Sequence, residues 1–327
     1  MDGPAPSCKH RSQGSFSSNF YVSSKDKNPF DLSALFSSGE PWDYGVMTSL
    51  TNEQVNFFNH NGFLSPIDLL LPEELKQCQE GLMRFEDWLG APVNHAKDFN
   101  FRSMNHCCLP WVADLAHDPR ILDPIEALIG PDIMIYTSTF FIKDPGSPAI
   151  TAWHQDSTYY GLTPPEEVTV WIALTNASEE AGCLEALTFN GRPSQMRHAV
   201  HVVEHSVNRA AQSITDDLKV DGTLMPLQAG QFSMHHGLCL HRSAPNRSSE
   251  RRVGLGMNFI SPSLRGKLPE RPCGMLVRGE DRFGNFEHLP RPQVELGPAS
   301  LAVHKRAIER YARNYREEES RHSEEFA

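Results

Sequence analysis

Apolar residues recur at helical spacing in the first part of the chain. Thr51-Asn52-Glu53-Gln54 has the spacing of a capping box and precedes an apolar stretch, which predicts the start of a helix. In residues 71–89 apolar side chains return every three or four positions and Pro72 occupies the first turn, as in an amphipathic helix. Residues 119–130 predict a shorter helix that ends at Gly130.

From Asp132 onward the pattern changes to short runs that are typical of β-strands. Seven runs rich in β-branched and aromatic residues are separated by Pro, Gly and Asn: IMIYTSTFFIK, AITAWHQ, VTVWIAL, LMPLQ, GQFSMH, GLCLHRS and RRVGLGMNFIS. Short strands with turn signals between them favour an antiparallel sandwich or barrel. A final apolar stripe predicts a C-terminal helix packed on the sheets, and it consists of Leu301, His304, Ile308, Tyr311 and Tyr315. The predicted class is mainly β with flanking α-helices.

The same pattern divides the chain. Residues 1–46 are rich in Ser, Gly, Asn and Pro without a sustained period, which predicts a disordered tail. Residues 47–327 predict a single domain with N-terminal helices, a β core at about 132–262 and a C-terminal helix. Met47 directly precedes the first predicted helix, so an alternative start at this residue is left open.

Composition narrows the function classes. The formal charge is −11, and no long basic run is present, so neither nucleic acid nor an anionic membrane is an expected partner. The seven cysteines form no CxxC pair, which indicates reduced thiols rather than a disulfide framework. With no apolar stretch of about 20 residues and no signal-peptide core, we expect a soluble cytoplasmic protein.

The stretch TAWHQDSTYYGL, residues 151–162, carries candidate metal ligands. In a strand, His154 and Asp156 would project to the same side while Gln155 faces away. His241, near the end of a later apolar strand, is the best candidate for a third ligand. Two histidines and one carboxylate form a facial triad, which leaves positions on the metal open for other ligands.

The segment that follows His241 offers an anion site. Arg252 lies eleven residues after His241, beyond the turn 244–249, and a guanidinium can hold a carboxylate in a bidentate fork. Ser243 shares the strand face of His241 and can hydrogen-bond the same carboxylate.

These motifs, in this order, resemble those of a known enzyme family. W-H-Q-D at 153–156, G-C-L at 182–184 and H-x-S-x-x-N-x-S-x-x-x-R at 241–252 resemble the phytanoyl-CoA dioxygenase family of Fe(II)- and 2-oxoglutarate-dependent oxygenases. The likeness extends from about Leu50 to Ser261. It implies a double-stranded β-helix, the cupin-like jelly roll, flanked by helices.

The resemblance also implies site roles and cofactors. It implies that His154, Asp156 and His241 bind Fe(2+). It further implies that Arg252 with Ser243 holds the distal carboxylate of 2-oxoglutarate. Two other residues match family positions beside the cosubstrate, namely Trp171 and, more weakly, Thr139. Dioxygen (O2) is the second cosubstrate, and ascorbate is a possible supporting reductant.

The implied reaction is oxidation of a C–H bond in a small-molecule substrate, by hydroxylation, desaturation or cyclisation. Asp156 argues against halogenation, because halogenating relatives carry a small residue at this position. We expect a substrate from specialised metabolism, since an acidic protein gives no help in binding coenzyme A phosphates. An acyl-CoA hydroxylase and a non-catalytic jelly-roll binding protein stay open as alternatives. Many members also follow G-C-L with a V-I-P-G-S-H type segment that this chain lacks, which limits any transfer of substrate preference.

Further residues are candidate substrate contacts. Tyr159 and Tyr160 directly follow the metal motif and are expected to wall the substrate pocket. Residues 97–108 show no period and predict a loop near the site, where Arg102 or His106 could contact substrate or lie at the surface.

Several other residues are expected to have ordinary roles. His235 and His236 lack the spacing to Arg252 and are interpreted as strand-end residues or as supports behind the ligands. Residues 197–205 contain three histidines and a glutamate at helical spacings, but a polar loop or short helix at the entrance is favoured over a zinc site. Cys239 is interpreted as a small buried thiol.

Overall fold

The structure is a computed structural model that describes Gly3 and residues 49–189, 193–201, 211–214 and 220–325. The predicted tail at 1–46 and the alternative start at Met47 lie outside these residues. The described residues from 49 to 325 form one compact unit.

Six helices and fifteen strands lie within the described residues. The helices are α1 (Asn52–Asn61), α2 (Pro72–Leu89), α3 (Pro110–Ala116), α4 (Pro119–Ile129), α5 (Ser157–Tyr160) and α6 (Pro298–Glu325). The strands are β1 (Phe63–Asp68), β2 (Ile133–Lys143), β3 (Thr151–His154), β4 (Leu162–Thr163), β5 (Val168–Ala173), β6 (Leu184–Ala186), β7 (His198–His201), β8 (Ala211–Ile214), β9 (Thr223–Met225), β10 (Gln231–His236), β11 (His241–Ser243), β12 (Arg252–Ile260), β13 (Arg265–Gly266), β14 (Cys273–Arg278) and β15 (Glu287–His288). Short 3₁₀ turns occur at Val93–His95, Phe99–Arg102 and Asn105–Cys107.

The predicted N-terminal helices are confirmed, and their ends follow from local chemistry. The capping box of α1 is complete, because the Thr51 hydroxyl accepts from Gln54 N and the Gln54 side chain accepts from Thr51 N. Helix α1 ends at Gly62, whose φ of 84° is readily adopted only by glycine. Helix α4 begins after Asp118, whose carboxylate accepts from Arg120 N.

Two antiparallel sheets carry most of the strands. The larger has seven strands in the order β1-β10-β5-β12-β2-β14-β15, in which only β14 and β15 pair in parallel. The smaller has four strands in the order β3-β11-β6-β9. Two two-stranded pairs, β4 with β13 and β7 with β8, complete the described strands.

The larger sheet has one apolar face and one polar face. Because side chains alternate along a strand, Val170, Ile172, Leu255, Met257 and Phe140 share a face and are buried in the main core with the helices. The opposite face carries buried polar or functional side chains, namely Thr137 and Lys143 on β2, Thr169 and Trp171 on β5, His235 on β10, and Arg252 and Asn258 on β12. The sheet therefore supplies a core on one side and a polar chamber on the other.

Some sequence predictions need correction. GLCLHRS was predicted as one strand, but Gly237 and Leu238 lie in a turn and only His241–Ser243 pairs. In the segment 197–205, residues 198–201 form β7 rather than a loop or helix, and 202–205 lie outside the described residues. Strands β1, β6 and β14 were not predicted, because each is short or lacks a clear alternating pattern.

The C-terminal helix prediction is confirmed. Helix α6 buries His304 and Ile308 from the predicted stripe. His304 Nε2 lies 2.9 Å from the carbonyl of Ser103, which ties the helix to the segment before β2. Among the helices in the described part of the chain, none is long and apolar enough to cross a membrane.

Candidate metal centre and anion subsite

Pairing between β3 and β11 brings the two predicted histidine ligands together. His154 and His241 are direct register partners, and their rings lie 4.1 Å apart between centroids. Asp156 lies two residues past the end of β3, just before α5, so the expectation that strand geometry alone aligns it with His154 is wrong. The candidate ligand atoms of all three residues nevertheless lie within 4.8 Å of one another, and all three residues are buried.

Backbone carbonyls orient the two imidazole rings. His154 Nδ1 lies 2.9 Å from the carbonyl of Ala152, and His241 Nδ1 lies 3.0 Å from that of Cys239. Because a carbonyl only accepts, these contacts assign the proton to Nδ1 and leave the Nε2 lone pairs available. The two Nε2 atoms are 3.4 and 3.7 Å from Oδ1 of Asp156, so three donor atoms surround one point.

The second carboxylate oxygen of Asp156, Oδ2, is contacted by two side chains of the larger sheet. Thr169 donates its hydroxyl to Oδ2 over 2.6 Å, and His235 Nε2 lies 3.1 Å from the same oxygen. With Oδ2 occupied by these two contacts, Oδ1 is the oxygen available to a metal. His235 is thus a support for the carboxylate, as the sequence interpretation expected.

A chain of hydrogen bonds continues behind Thr169. Asn258 donates its amide to the Thr169 hydroxyl over 2.6 Å and accepts from the Thr137 hydroxyl over 2.5 Å. The phenol of Tyr160 hydrogen-bonds Thr137 in turn. These buried partners fix the orientation of the Thr169 hydroxyl, and through it that of Asp156.

The electrostatics of the cluster favour metal ligation. Burial raises the pKa of Asp156, but His241, His154 and His235 outweigh it and hold this pKa well below its usual range. Burial, together with His154 and His235, also lowers the pKa of His241 well below its ordinary value. A neutral imidazole beside an ionised carboxylate is the protonation state in which both groups bind a metal.

Arg252 is the candidate residue for an anion subsite. The side chain is almost fully buried, with its guanidinium carbon 5.3 Å from the centre of the Trp171 ring and Nη1 donating to the carbonyl of Gly182 over 2.6 Å. Gly182 has a φ of 72°, and a Cβ there would lie 2.2 Å from the carbonyl oxygen of Ala244, which explains the glycine of G-C-L.

Lys143 lies next to Arg252. The two residues are direct register partners on β2 and β12, so their side chains share the polar face of the sheet. Lys143 is 1% exposed, and its Nζ donates to the Ser243 hydroxyl over 2.7 Å and to the carbonyl of Ala244. Among the described residues, neither Lys143 nor Arg252 has a carboxylate partner, and Arg252 Nε has no hydrogen-bond acceptor.

A buried cation without a counter-charge, the guanidinium of Arg252, indicates an anionic ligand. Buried charges in proteins are ordinarily paired, because removing a charge from water costs several kcal/mol. Burial lowers the pKa of Arg252 only to about 10, so this side chain is cationic at neutral pH. The hydrogen-bond donors of Arg252 therefore fit a carboxylate, and the three ligand atoms of the triad fit a divalent metal.

The structure locates the weaker predicted cosubstrate residues. The Ser243 hydroxyl accepts from Lys143 and donates to Thr151 over 3.1 Å, so it lies inside the anion subsite. Thr139 lies on the same face of β2 as Lys143, but its hydroxyl is 3.0 Å from that of Ser103. Both assignments as cosubstrate contacts stay predictions.

The tyrosines after the metal motif differ in their surroundings. The Tyr159 ring lies 5.7 Å from the His154 ring and stacks on Tyr315 of α6 at 5.4 Å. The backbone carbonyl of Tyr160 accepts from the Asn314 amide, and its phenol is engaged with Thr137. These contacts favour Tyr159 as a pocket wall and give Tyr160 a supporting position.

The alternative that Arg102 and His106 lie at the surface is wrong. Arg102 is buried, donates from Nε to the carbonyl of Phe140 over 3.0 Å, and is close enough to Arg252 to lower the pKa of that guanidinium. His106 is fully buried, with Nδ1 2.9 Å from the Ser138 hydroxyl. The protein interior therefore holds both side chains, and a substrate contact for Arg102 stays a prediction.

Sequence reasoning missed Lys143, Thr169 and Asn258. Each lies in a predicted strand, but its role depends on which strands become neighbours. A polar residue at an alternate position of an apolar strand was the available signal.

Two imidazoles and a carboxylate that surround one point are able to hold a single metal ion, in the manner of the facial-triad class. Residues 58–254 match the family described as "Phytanoyl-CoA dioxygenase (PhyH)", and this chain belongs to that family.

Individual relatives share parts of the chain. It is 29% identical over 187 residues to "Probable alpha-ketoglutarate-dependent hypophosphite dioxygenase" of Stutzerimonas stutzeri, covering 56% of this chain and 61% of that protein. It is 24% identical over 274 residues to "Phytanoyl-CoA dioxygenase 1" of Oryza sativa subsp. japonica, covering 68% of this chain and 97% of that protein. The solved structure of the non-heme monooxygenase ThoJ without ligands matches with a TM-score of 0.70 at 27% identity, covering 81% of this chain and 98% of that chain. The match to the Stutzerimonas protein thus spans less than two thirds of the length of that protein.

The contact between Thr169 and Asp156 gives a prediction for metal affinity. Thr169→Val removes one of the two contacts to Oδ2, so we expect the dissociation constant for Fe(II) to rise about 10- to 100-fold. The dissociation constant is measured by isothermal titration calorimetry with Fe(II) under anaerobic conditions.

Thr175→Val is the matched control. The Thr175 hydroxyl likewise makes two hydrogen bonds, to Arg251 O and from Val253 N, but lies outside the cluster. This variant should bind Fe(II) like the unmodified protein. Equal affinities for the two variants would contradict the assigned role of Thr169.

Proposed function

We propose that this protein is an Fe(II)- and 2-oxoglutarate-dependent dioxygenase that oxidises a C–H bond of a small molecule. The reaction is a hydroxylation, or a desaturation or cyclisation. In this proposal the two antiparallel sheets form the jelly roll of the family, with His154, Asp156 and His241 as the Fe(II) ligands. Family membership supports the proposal, as does the name of the Stutzerimonas relative, which is described as alpha-ketoglutarate-dependent.

The observation that carries the proposal is the proximity of two incomplete sites. The triad supplies three ligand atoms on one side of a metal, and Arg252, whose Nε has no acceptor among the described residues, supplies uncompensated positive charge. A dicarboxylate with a keto group can satisfy both sites at once, since one end chelates a metal and the other end accepts from the guanidinium. Neither the triad nor Arg252 alone would indicate a keto dicarboxylate.

Each part of the chain has a task in this proposal. Iron bound with 2-oxoglutarate and dioxygen supplies an oxidant for C–H bonds, with release of succinate and carbon dioxide. Asp156 and the histidines orient the metal, and Asp156 occupies the position that halogenating relatives leave open, which favours oxygen transfer. Arg252, stacked on Trp171 and bonded to Gly182, orients the distal carboxylate of the cosubstrate and excludes water from it.

The substrate is proposed to be a small specialised metabolite that approaches beside Tyr159. The stacked pair of Tyr159 and Tyr315 places an aromatic surface next to His154. A net charge of −11 disfavours the coenzyme A phosphates, and the curated relatives are named for substrates as different as hypophosphite and phytanoyl-CoA. The type of reaction is therefore inferred from the family, and the class of substrate is inferred from the residues and charge of this chain.

Formation of the iron and 2-oxoglutarate complex is the first test. Anaerobic addition of Fe(II) and 2-oxoglutarate should produce the weak visible charge-transfer absorption of the chelate, because the keto acid binds in a bidentate manner to iron held by the triad. Asp156→Ala should abolish this absorption, since one of three ligands is lost. Ultraviolet-visible titration under nitrogen gives the measurement.

Cys239→Ala is the control, because it keeps the backbone carbonyl that orients His241 and removes only a buried thiol. It should retain the absorption. If the unmodified protein shows no absorption and Asp156→Ala changes nothing, the protein is a non-catalytic jelly-roll binding module instead.

Product formation is the second test. Incubation of the protein with a metabolite extract, iron, 2-oxoglutarate and chloride should convert a small molecule to a product that has gained one oxygen atom or lost two hydrogen atoms. Mass spectrometry detects the change, and Asp156→Ala with the same extract is the blank. A chlorinated product would contradict the role proposed for Asp156.

A further inference from the structure

Lys143 stands out because it is a buried amine outside the predicted motifs. Its Nζ lies among three oxygen acceptors, the hydroxyl and carbonyl of Ser243 and the carbonyl of Ala244, and none of these carries a charge. An ion pair with a carboxylate would be the ordinary compensation for a buried ammonium, and within the described residues it has none. The amine is therefore either neutral or compensated by an anionic ligand when it is protonated.

The position of Lys143 indicates which anion. Its register partner is Arg252, and the hydroxyl it contacts belongs to Ser243, which lies two residues from His241 on β11. Cross-strand partners have their Cβ atoms about 5 Å apart, and Arg252 is close enough to lower the pKa of Lys143. The amine and the guanidinium thus border the same space.

We propose that Lys143 is a second cation of the cosubstrate subsite, and that it takes up a proton from solvent when 2-oxoglutarate binds. This inference rests on the proposed function, because it names a residue that acts on the same cosubstrate. The proton adds to the free amine, and the resulting ammonium donates to the distal carboxylate alongside Arg252.

The surroundings of Lys143 account for the proton uptake. Burial, and after it the charge of Arg252, lowers the pKa of Lys143 to about 6, so the amine is mostly neutral at neutral pH. Cys183 also faces it, and burial raises the pKa of that thiol to about 11, which keeps it uncharged. Arg102 lies beyond Arg252 and adds positive charge. A carboxylate entering this space reverses the balance and favours the ammonium.

The sign of the pH dependence follows from this shift. Because the bound state carries one more proton, affinity for 2-oxoglutarate is highest at low pH and falls as the pH rises above about 6, by up to about tenfold per unit. The dependence ends at the raised pKa of Lys143 in the complex. A non-titrating side chain at position 143 removes this dependence.

The experiment is anaerobic calorimetry of 2-oxoglutarate binding to the Fe(II)-loaded protein, in buffers with different ionisation enthalpies. The unmodified protein should take up close to one proton at about pH 7.5. Lys143→Met should bind 2-oxoglutarate about tenfold or more weakly and lose the proton uptake. Lys305→Met, on the exposed side of α6, should leave both quantities unchanged.

The outcomes separate this inference from the proposed function. If the iron-loaded protein does not bind 2-oxoglutarate, the proposed function is wrong, and this inference with it. Binding without proton exchange in the unmodified protein overturns the role of Lys143 alone, and needs no variant to fold. Proton uptake that persists in Lys143→Met also overturns it.

Discussion

The burial of one carboxylate, Asp156, organises the polar chamber. Moving an ion from water into a protein interior costs several kcal/mol, and a buried carboxylate persists only if donors surround it. The Thr169 hydroxyl and His235 contact Oδ2, and the Nε2 atoms of His154 and His241 lie beside Oδ1 as ligand atoms for a metal, so the groups around this carboxylate come from four separate strands. The same contacts fix which oxygen faces the metal position. Fold stability and site geometry thus depend on the same interactions.

The larger sheet provides the polar surroundings that a buried carboxylate requires. Its apolar face is buried against the helices, so its other face can carry polar side chains without loss of the core. That face contacts the carboxylate of Asp156 through Thr169 and carries the guanidinium of Arg252. A ligand that bridges a metal and this guanidinium compensates both charges. The chamber is therefore suited to a keto dicarboxylate.

Much of the site could be predicted from the sequence because its motifs are local. His154 and Asp156 lie two residues apart, and Arg252 follows His241 at a fixed distance, so spacing and a family resemblance located all four. Lys143 and Thr169 could not be found in this way, since their roles arise from pairing between distant strands. The long strands and helices were predictable from period, whereas β6 and β14 were too short or too irregular.

The central claim is that one chamber holds both iron and the cosubstrate. Crystals grown without oxygen in the presence of Fe(II) and 2-oxoglutarate, measured at the iron absorption edge, test it directly. The account predicts one anomalous peak between Nε2 of His154, Nε2 of His241 and Oδ1 of Asp156, with a dicarboxylate extending from it to Arg252. A peak that instead involves His235 or His236, or a cosubstrate that does not reach Arg252, would contradict it.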